Sequence, residues 1–181
     1  MEGLSLKESA INYAKNGFYV APLWPRSKEP MLGFKYDKPS FDPCVVNYWW
    51  DRCENANIAL PTGVNYNNLI VIDVDVLPNT NGCETLQILL NKNNIVLPET
   101  AVSQSGSGGF HIFYRNTLKY KIQSKKNAFC GIDILAEGAH IVAPPSIHHT
   151  GKMYTWYRGD FSKIADANQA VYKLLMINGK L

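Results

Sequence analysis

Closely spaced cysteine pairs are missing from this sequence. Its four cysteines, Cys44, Cys53, Cys83 and Cys130, lie far apart, and none belongs to a CxxC pair. Structural zinc sites usually gather their ligands in such pairs, so the spacing argues against one. A chain of 181 residues can bury a sizeable core without cross-links, so no disulfide framework is required, and free thiols in a reducing compartment are expected. A large excess of one charge is also lacking. The 18 Lys and Arg residues against 15 Asp and Glu leave a net charge of +3, short of the strongly basic balance of a dedicated nucleic-acid-binding protein. No apolar run reaches bilayer-spanning length, and the start, Met-Glu-Gly-Leu-Ser-Leu-Lys, has no basic stretch followed by an apolar one. A soluble, cytoplasmic protein without membrane association is expected. Internal repeats and low-complexity tracts are absent too.

What is present reads as an ordinary globular chain, 46% hydrophobic and 18% charged. Ser5 with Glu8 three residues on predicts a capped first helix that Asn16-Gly17 ends. Phe18 to Leu23 predicts a strand. An irregular loop through about Ser40 follows, carrying Arg26, Lys28 and Lys35 among Pro25, Pro30 and Gly33. Asp42-Pro43 predicts a short helix bearing Tyr48, Trp49 and Trp50, whose rings are expected in the core rather than stacked on template bases. Further strands are predicted at Asn57–Leu60, Leu69–Val76, Phe129–Leu135, His140–Ala143 and Met153–Tyr157. Thr100–Gln104 and Gly109–Arg115 read as a hairpin, Glu84–Lys92 as a helix, and Phe161–Ile177 as a closing helix. Strand runs interrupted by helices predict an α+β fold with a mixed sheet.

The chemistry concentrates in three places. Leu69-Ile70-Val71-Ile72-Asp73-Val74-Asp75-Val76 is apolar enough for a buried strand, yet it holds two carboxylates two residues apart, on one strand face. Two such charges repel unless a cation lies between them, and hard oxygen ligands suit magnesium or manganese. The competing reading, a strand whose aspartates merely face solvent, would expose Leu69 and Val71 beside them. In Ser105-Gly106-Ser107-Gly108-Gly109-Phe110-His111, small residues let backbone N–H groups approach an anion, and His111 can donate to a phosphate. Alone, this run reads equally well as a hairpin turn, and no Gly-Lys-Ser/Thr makes it a Walker loop. Asp133, in Gly131-Ile132-Asp133-Ile134-Leu135, is a third carboxylate inside an apolar strand. Three of them suit two-metal phosphoryl transfer.

In that order, Asp73-Val74-Asp75, Ser107-Gly108-Gly109-Phe110-His111 and Ile132-Asp133 resemble the three motifs of the archaeo-eukaryotic primase superfamily. The flanking Asn57-Ile58-Ala59-Leu60-Pro61-Thr62-Gly63, Leu97-Pro98-Glu99-Thr100, Val142-Ala143-Pro144-Pro145-Ser146 and Tyr154-Thr155-Trp156 resemble its bifunctional primase-polymerase (prim-pol) family of plasmids, phages and mobile elements. The resemblance implies an RRM-like sheet carrying the aspartates beside a smaller N-terminal α/β portion, with the active site between them. It implies that residues 1–181 form one catalytic domain, alone or within a larger primase or helicase protein. It further implies a DNA primase/polymerase acting on nucleoside triphosphates, single-stranded template and primer with two Mg2+ or Mn2+ ions.

By the same resemblance Asp73, Asp75 and Asp133 hold the metals, Ser107 and His111 contact phosphates, and Gly108 and Gly109 permit close approach. Lys28 matches a lysine-proline stretch and would touch phosphate or template, and Ser146 would shape the nucleotide pocket. Arg115, four residues after His111 on one strand face, is a further phosphate candidate by geometry. Gly138-Ala139-His140 departs from the family's Gly-Gly-Tyr, and Gln104-Ser105 replaces a threonine-containing approach. His140, His148 and His149 are expected to be exposed loop histidines. A metal-dependent nuclease or replication-initiation endonuclease, and a non-catalytic template-binding module, remain the alternatives.

Overall fold

The computed structural model describes residues 4–31, 38–118 and 121–177. Gly33 and Lys35 of the expected basic loop lie outside the described residues. The helices are α1 (Leu6–Lys15), α2 (Pro43–Trp50), α3 (Gly82–Lys92) and α4 (Gln169–Met176). The strands are β1 (Ala21–Leu23), β2 (Asn57–Pro61), β3 (Leu69–Val74), β4 (Val76–Leu77), β5 (Thr80–Asn81) and β6 (Val102–Gln104). Then come β7 (Phe110–Arg115), β8 (Lys125–Phe129), β9 (Ile132–Leu135), β10 (His140–Ala143), β11 (Thr155–Arg158) and β12 (Ala165–Asp166).

Local chemistry sets the helix starts. Ser5 Oγ accepts from the Glu8 N–H while the Glu8 carboxylate accepts from the Ser5 N–H, the reciprocal cap expected of that spacing. Asp42 caps α2 with Pro43 in its first position. Trp49 and Trp50 of α2 are buried, and Trp50 Nε1 donates to the Ala56 carbonyl at 3.0 Å. These rings belong to the core. All four cysteines are free thiols.

Two sheets organise the chain. The smaller is antiparallel, ordered β1-β2-β10, and packs with α1 and α2 as the N-terminal α/β portion. The larger runs β11-β6-β7-β3-β9-β8, with β12 parallel to β7 beyond the end of its pairing with β6. Taken in chain order, β3, α3, β6, β7 and β9 make a β-α-β-β-β unit whose strands lie second-third-first-fourth, the RRM-like order. The fold is α+β, as expected.

Alternation along β3 assigns its two faces. Ile70, Ile72 and Val74 pack with α3 and α4, while Leu69 and Val71 pack against α1, α2 and the small sheet. Both faces are therefore covered, which explains a continuous apolar run and removes the objection that Leu69 and Val71 would be exposed.

Beyond shifts of up to three residues at the ends of other elements, three predicted elements change. β3 ends at Val74, so Asp75 lies just beyond it: its N–H donates to the Gly131 carbonyl and its own carbonyl accepts from the Gly82 N–H, both at 2.8 Å. The strand predicted over Phe129–Leu135 is divided between β8 and β9 by a turn at Cys130-Gly131, where Gly131 has φ +70°. The closing helix is confined to α4. Asp160 caps a short 3-10 turn at Phe161–Lys163, β12 then pairs with β7, and Asn168 caps α4.

Candidate active site

The large sheet presents successive rows of side chains to the N-terminal portion. One row is apolar: Val71 stands opposite Phe113 on β7 and Leu135 on β9. The next row toward the C-terminal end of β3 is polar. Asp73 stands opposite His111 on β7 and Asp133 on β9, and His111 stands opposite Ser103 on β6. Because directly paired residues point to one face, Asp133, Asp73, His111 and Ser103 form one line across four strands. The N-terminal portion covers the apolar row and leaves a cavity of about 410 Å³ over the polar one, lined by Lys28, Asp73, His111, Lys126, Asp133 and Tyr154 together with β10.

Asp73 is the pivot. Its Oδ1 lies 3.5 Å from His111 Nε2. Burial and the charge of Asp75 push its carboxyl up to about 7 against a partial offset from Lys28, and the Asp133 charge adds to the rise. His111 is buried; desolvation and the nearby Lys28 charge hold its pKa down to about 3, so the ring is neutral. Burial, with Asp73 nearby, raises the Tyr154 phenol to about 12. The Tyr154 ring stacks on His111, with centroids 5.8 Å apart and 29° between planes.

Asp133 Oδ1 accepts from the Asn127 N–H at 2.6 Å, and Asn127 sits at φ +48° where the β8–β9 register shifts. That carboxylate therefore also braces the irregular strand beside it. Asp73 and Asp133 line the cavity, whereas Asp75 does not line it and reaches Asp73 only through its charge; as hard oxygen donors these carboxylates suit a hard divalent cation. The described residues nevertheless hold no group of three His, Cys, Asp or Glu side chains arranged to hold a metal ion.

The glycine-serine turn joins β6 to β7 beside this row. Gly108 needs its φ of +98°, and a Cβ on Gly109 would stand 2.6 Å from the Val74 carbonyl oxygen, so the turn lies directly on the backbone leading into Asp75. Ser105 and Ser107 share a hydrogen bond between hydroxyls at 2.8 Å. Two of the turn's N–H groups serve the turn itself: Gly108 donates to Ser105, and Ser105 to Gly109.

Lys28 reaches the cavity from the loop after β1. That loop is pinned through its backbone: His140 Nε2 lies 2.9 Å from the Lys28 carbonyl oxygen, and Asn57 Nδ2 donates to the Ser27 carbonyl at 3.1 Å. Two other expected contacts sit elsewhere. Arg115 shares His111's face but is four residues, roughly 13 Å, along the strand, and its guanidinium lies over the Phe18 ring at 5.3 Å from the centroid. Ser146 is fully buried and its Oγ accepts from the Ile58 N–H at 2.8 Å, tying β2 to the segment after β10.

The three histidines expected in exposed loops divide. His149 is exposed, His140 begins β10 and lines the cavity, and His148 is buried with Nδ1 2.9 Å from Thr150 Oγ1. Sequence reasoning assigned no role to Ser103, Lys126, Tyr154 or His140 in this cavity. The available signal for Ser103 was a polar residue at an inward position of a short strand.

Comparison with curated proteins found no match. The sequence model of the family described as bifunctional DNA primase/polymerase, N-terminal, matches residues 10–170, which includes every residue of the polar row and the turn beside it. On that match, covering nearly the whole chain, the protein belongs to the Prim-Pol family of bifunctional DNA primase/polymerases.

Proposed function

We propose that this chain is a template-dependent nucleotidyltransferase, joining nucleotides on single-stranded DNA with residues 1–181 acting as one catalytic domain. The observation that carries the reading is the line Asp133–Asp73–His111 opening into one cavity with Lys28. It combines carboxylates for cations with neutral and cationic donors for phosphates.

Asp73, Asp75 and Asp133 would hold two divalent ions, magnesium or manganese. Bound there, the ions supply positive charge that makes the attacking hydroxyl more acidic and offsets charge on the phosphates. The oxygen of a primer 3′-hydroxyl bonds to the α-phosphorus of a nucleoside triphosphate, the bond from that phosphorus to the α–β bridging oxygen breaks, pyrophosphate departs with the bond's electron pair, and the hydroxyl proton passes to solvent water. His111 Nε2, Lys28 and the Ser107-Gly108-Gly109 turn hold the triphosphate, so much of the rate enhancement comes from positioning. Arg115 and Ser146 support the framework from where they stand. A helicase or a further primase domain would be the natural partner.

The test incubates the purified chain with nucleoside triphosphates, primed and unprimed single-stranded DNA, and magnesium or manganese. Extension is expected. Cleavage of the DNA would instead establish a metal-dependent nuclease, and retention without chemistry a template-binding module; either result overturns the proposal.

A further inference from the structure

The polar row continues past His111 to a residue with no motif to announce it. Ser103 is fully buried on β6 and is the register partner of His111. Its Oγ lies 3.1 Å from His111 Nδ1. A hydroxyl proton removed from water must find an acceptor, or the group bears an uncompensated desolvation cost. Among the described residues, Nδ1 is the acceptor that Ser103 Oγ reaches. A ring nitrogen that accepts carries no proton, so the single N–H of the neutral imidazole belongs on Nε2. Nε2 is the nitrogen that faces Asp73 Oδ1 and the cavity.

The ring has little freedom to turn away from this arrangement. Tyr154 stacks on it, and Phe113 meets it edge-on at 6.4 Å between centroids and 77° between planes. Against an ionised Asp73, and against any phosphate oxygen entering the cavity, a reversed tautomer would present a lone pair to an acceptor.

We propose that Ser103 is a positioning residue that fixes His111 as the Nε2–H tautomer and so makes it a donor toward the cavity. The consequence for substrate, a donor for a nucleotide phosphate, rests on the function proposed above; the tautomer itself does not.

The experiment therefore has two arms, both on the full chain. In the first, long-range 1H–15N correlation spectra of the ligand-free protein report which His111 nitrogen carries the proton. Wild type is expected to show a protonated Nε2 and a bare Nδ1. Ser103→Thr, which keeps the hydroxyl, should match it, and Ser103→Ala should shift population toward the Nδ1–H form. A protonated Nδ1 in wild type overturns the proposal without any variant, as does an unchanged tautomer in Ser103→Ala.

In the second arm, nucleotide and single-stranded DNA affinities are measured side by side. Ser103→Ala should weaken nucleotide binding about tenfold, the loss of roughly one hydrogen bond, with Ser103→Thr restoring it and DNA affinity unmoved. A shifted tautomer with unchanged nucleotide affinity would confirm the role of Ser103 and overturn the nucleotide reading of the cavity.

Discussion

Asp73 and Asp133 stand directly opposite each other across the antiparallel β3–β9 pair, in the same row and facing the same cavity. They are not equivalent. Asp73 is destabilised as an anion by burial and by its acidic neighbours, whereas Asp133 accepts a backbone hydrogen bond from Asn127. Replacing either by alanine should abolish extension, because both would hold the ions. Their stabilities should diverge. Asp73→Ala should keep or raise the melting temperature of the metal-free protein, while Asp133→Ala should lower it, since the lost brace costs about 1 kcal/mol. Thermal melts beside an extension assay check both; near-normal extension in either variant would refute the metal assignment.

The raised carboxyl of Asp73 gives a pH signature in the metal-free protein. Its pKa is about 7 folded against 3.8 as the ordinary value. Between these values the folded state keeps a proton that the unfolded state has lost, so this group's contribution to stability falls as pH rises through that window and is fully lost above about 7. Asp73→Asn has no such proton to lose. Its stability advantage over wild type should therefore be small near pH 4, grow toward pH 7 and then level off at a few kcal/mol, on the order of 1.4 kcal/mol for each tenfold difference in acidity between the folded and unfolded carboxyl. Denaturant melts of both proteins across that range measure it, and a constant gap would refute the assignment.

His111→Ala should weaken nucleotide binding or turnover by about ten- to a hundred-fold, the loss of one hydrogen bond to a charged group. Single-stranded DNA affinity should barely change. Parallel titrations decide; a collapse of DNA affinity with nucleotide affinity intact would place DNA, not nucleotide, at this turn.

Asn57 makes a prediction about the loop rather than the chemistry. It is buried, donates to the Ser27 and Ile147 carbonyls, and accepts from the Ile147 N–H at 2.8 Å. Asn57→Ala leaves those groups unpaired and should cost about 2 kcal/mol of stability or more. It should also weaken nucleotide binding, since the loop carries Lys28. Full nucleotide affinity in a destabilised Asn57→Ala would show that Lys28 does not depend on this anchor.

Local signals were legible in the sequence and long-range ones were not. The Ser5–Glu8 cap, the Asp42-Pro43 start and the buried character of β3 follow from spacing and composition alone, and so does the shared face of Asp73, His111 and Asp133 once their strands pair. Ser103, Tyr154 and Lys126 reach the cavity only through pairings between distant segments. Arg115 shows the same limit from the other side: its face was read correctly, but distance along that face separates it from the cavity. The closing helix was overextended because the pairing of Ala165-Asp166 with β7 outweighs the helical pattern of the surrounding residues.

The central strand of the small sheet is completed by a segment some eighty residues downstream, Leu60 pairing with Ile141. A ribosome releases these partners far apart in time, so β1 and β2 emerge as a two-stranded ribbon, which has little stability by itself. Their closure must wait for β10, the strand that also walls the cavity. Pairings this remote make folding slow. The nascent chain thus has no closed cavity until β10 is made, and until then the unpaired edge of β2 is open to chaperones or to strand exchange with a second chain.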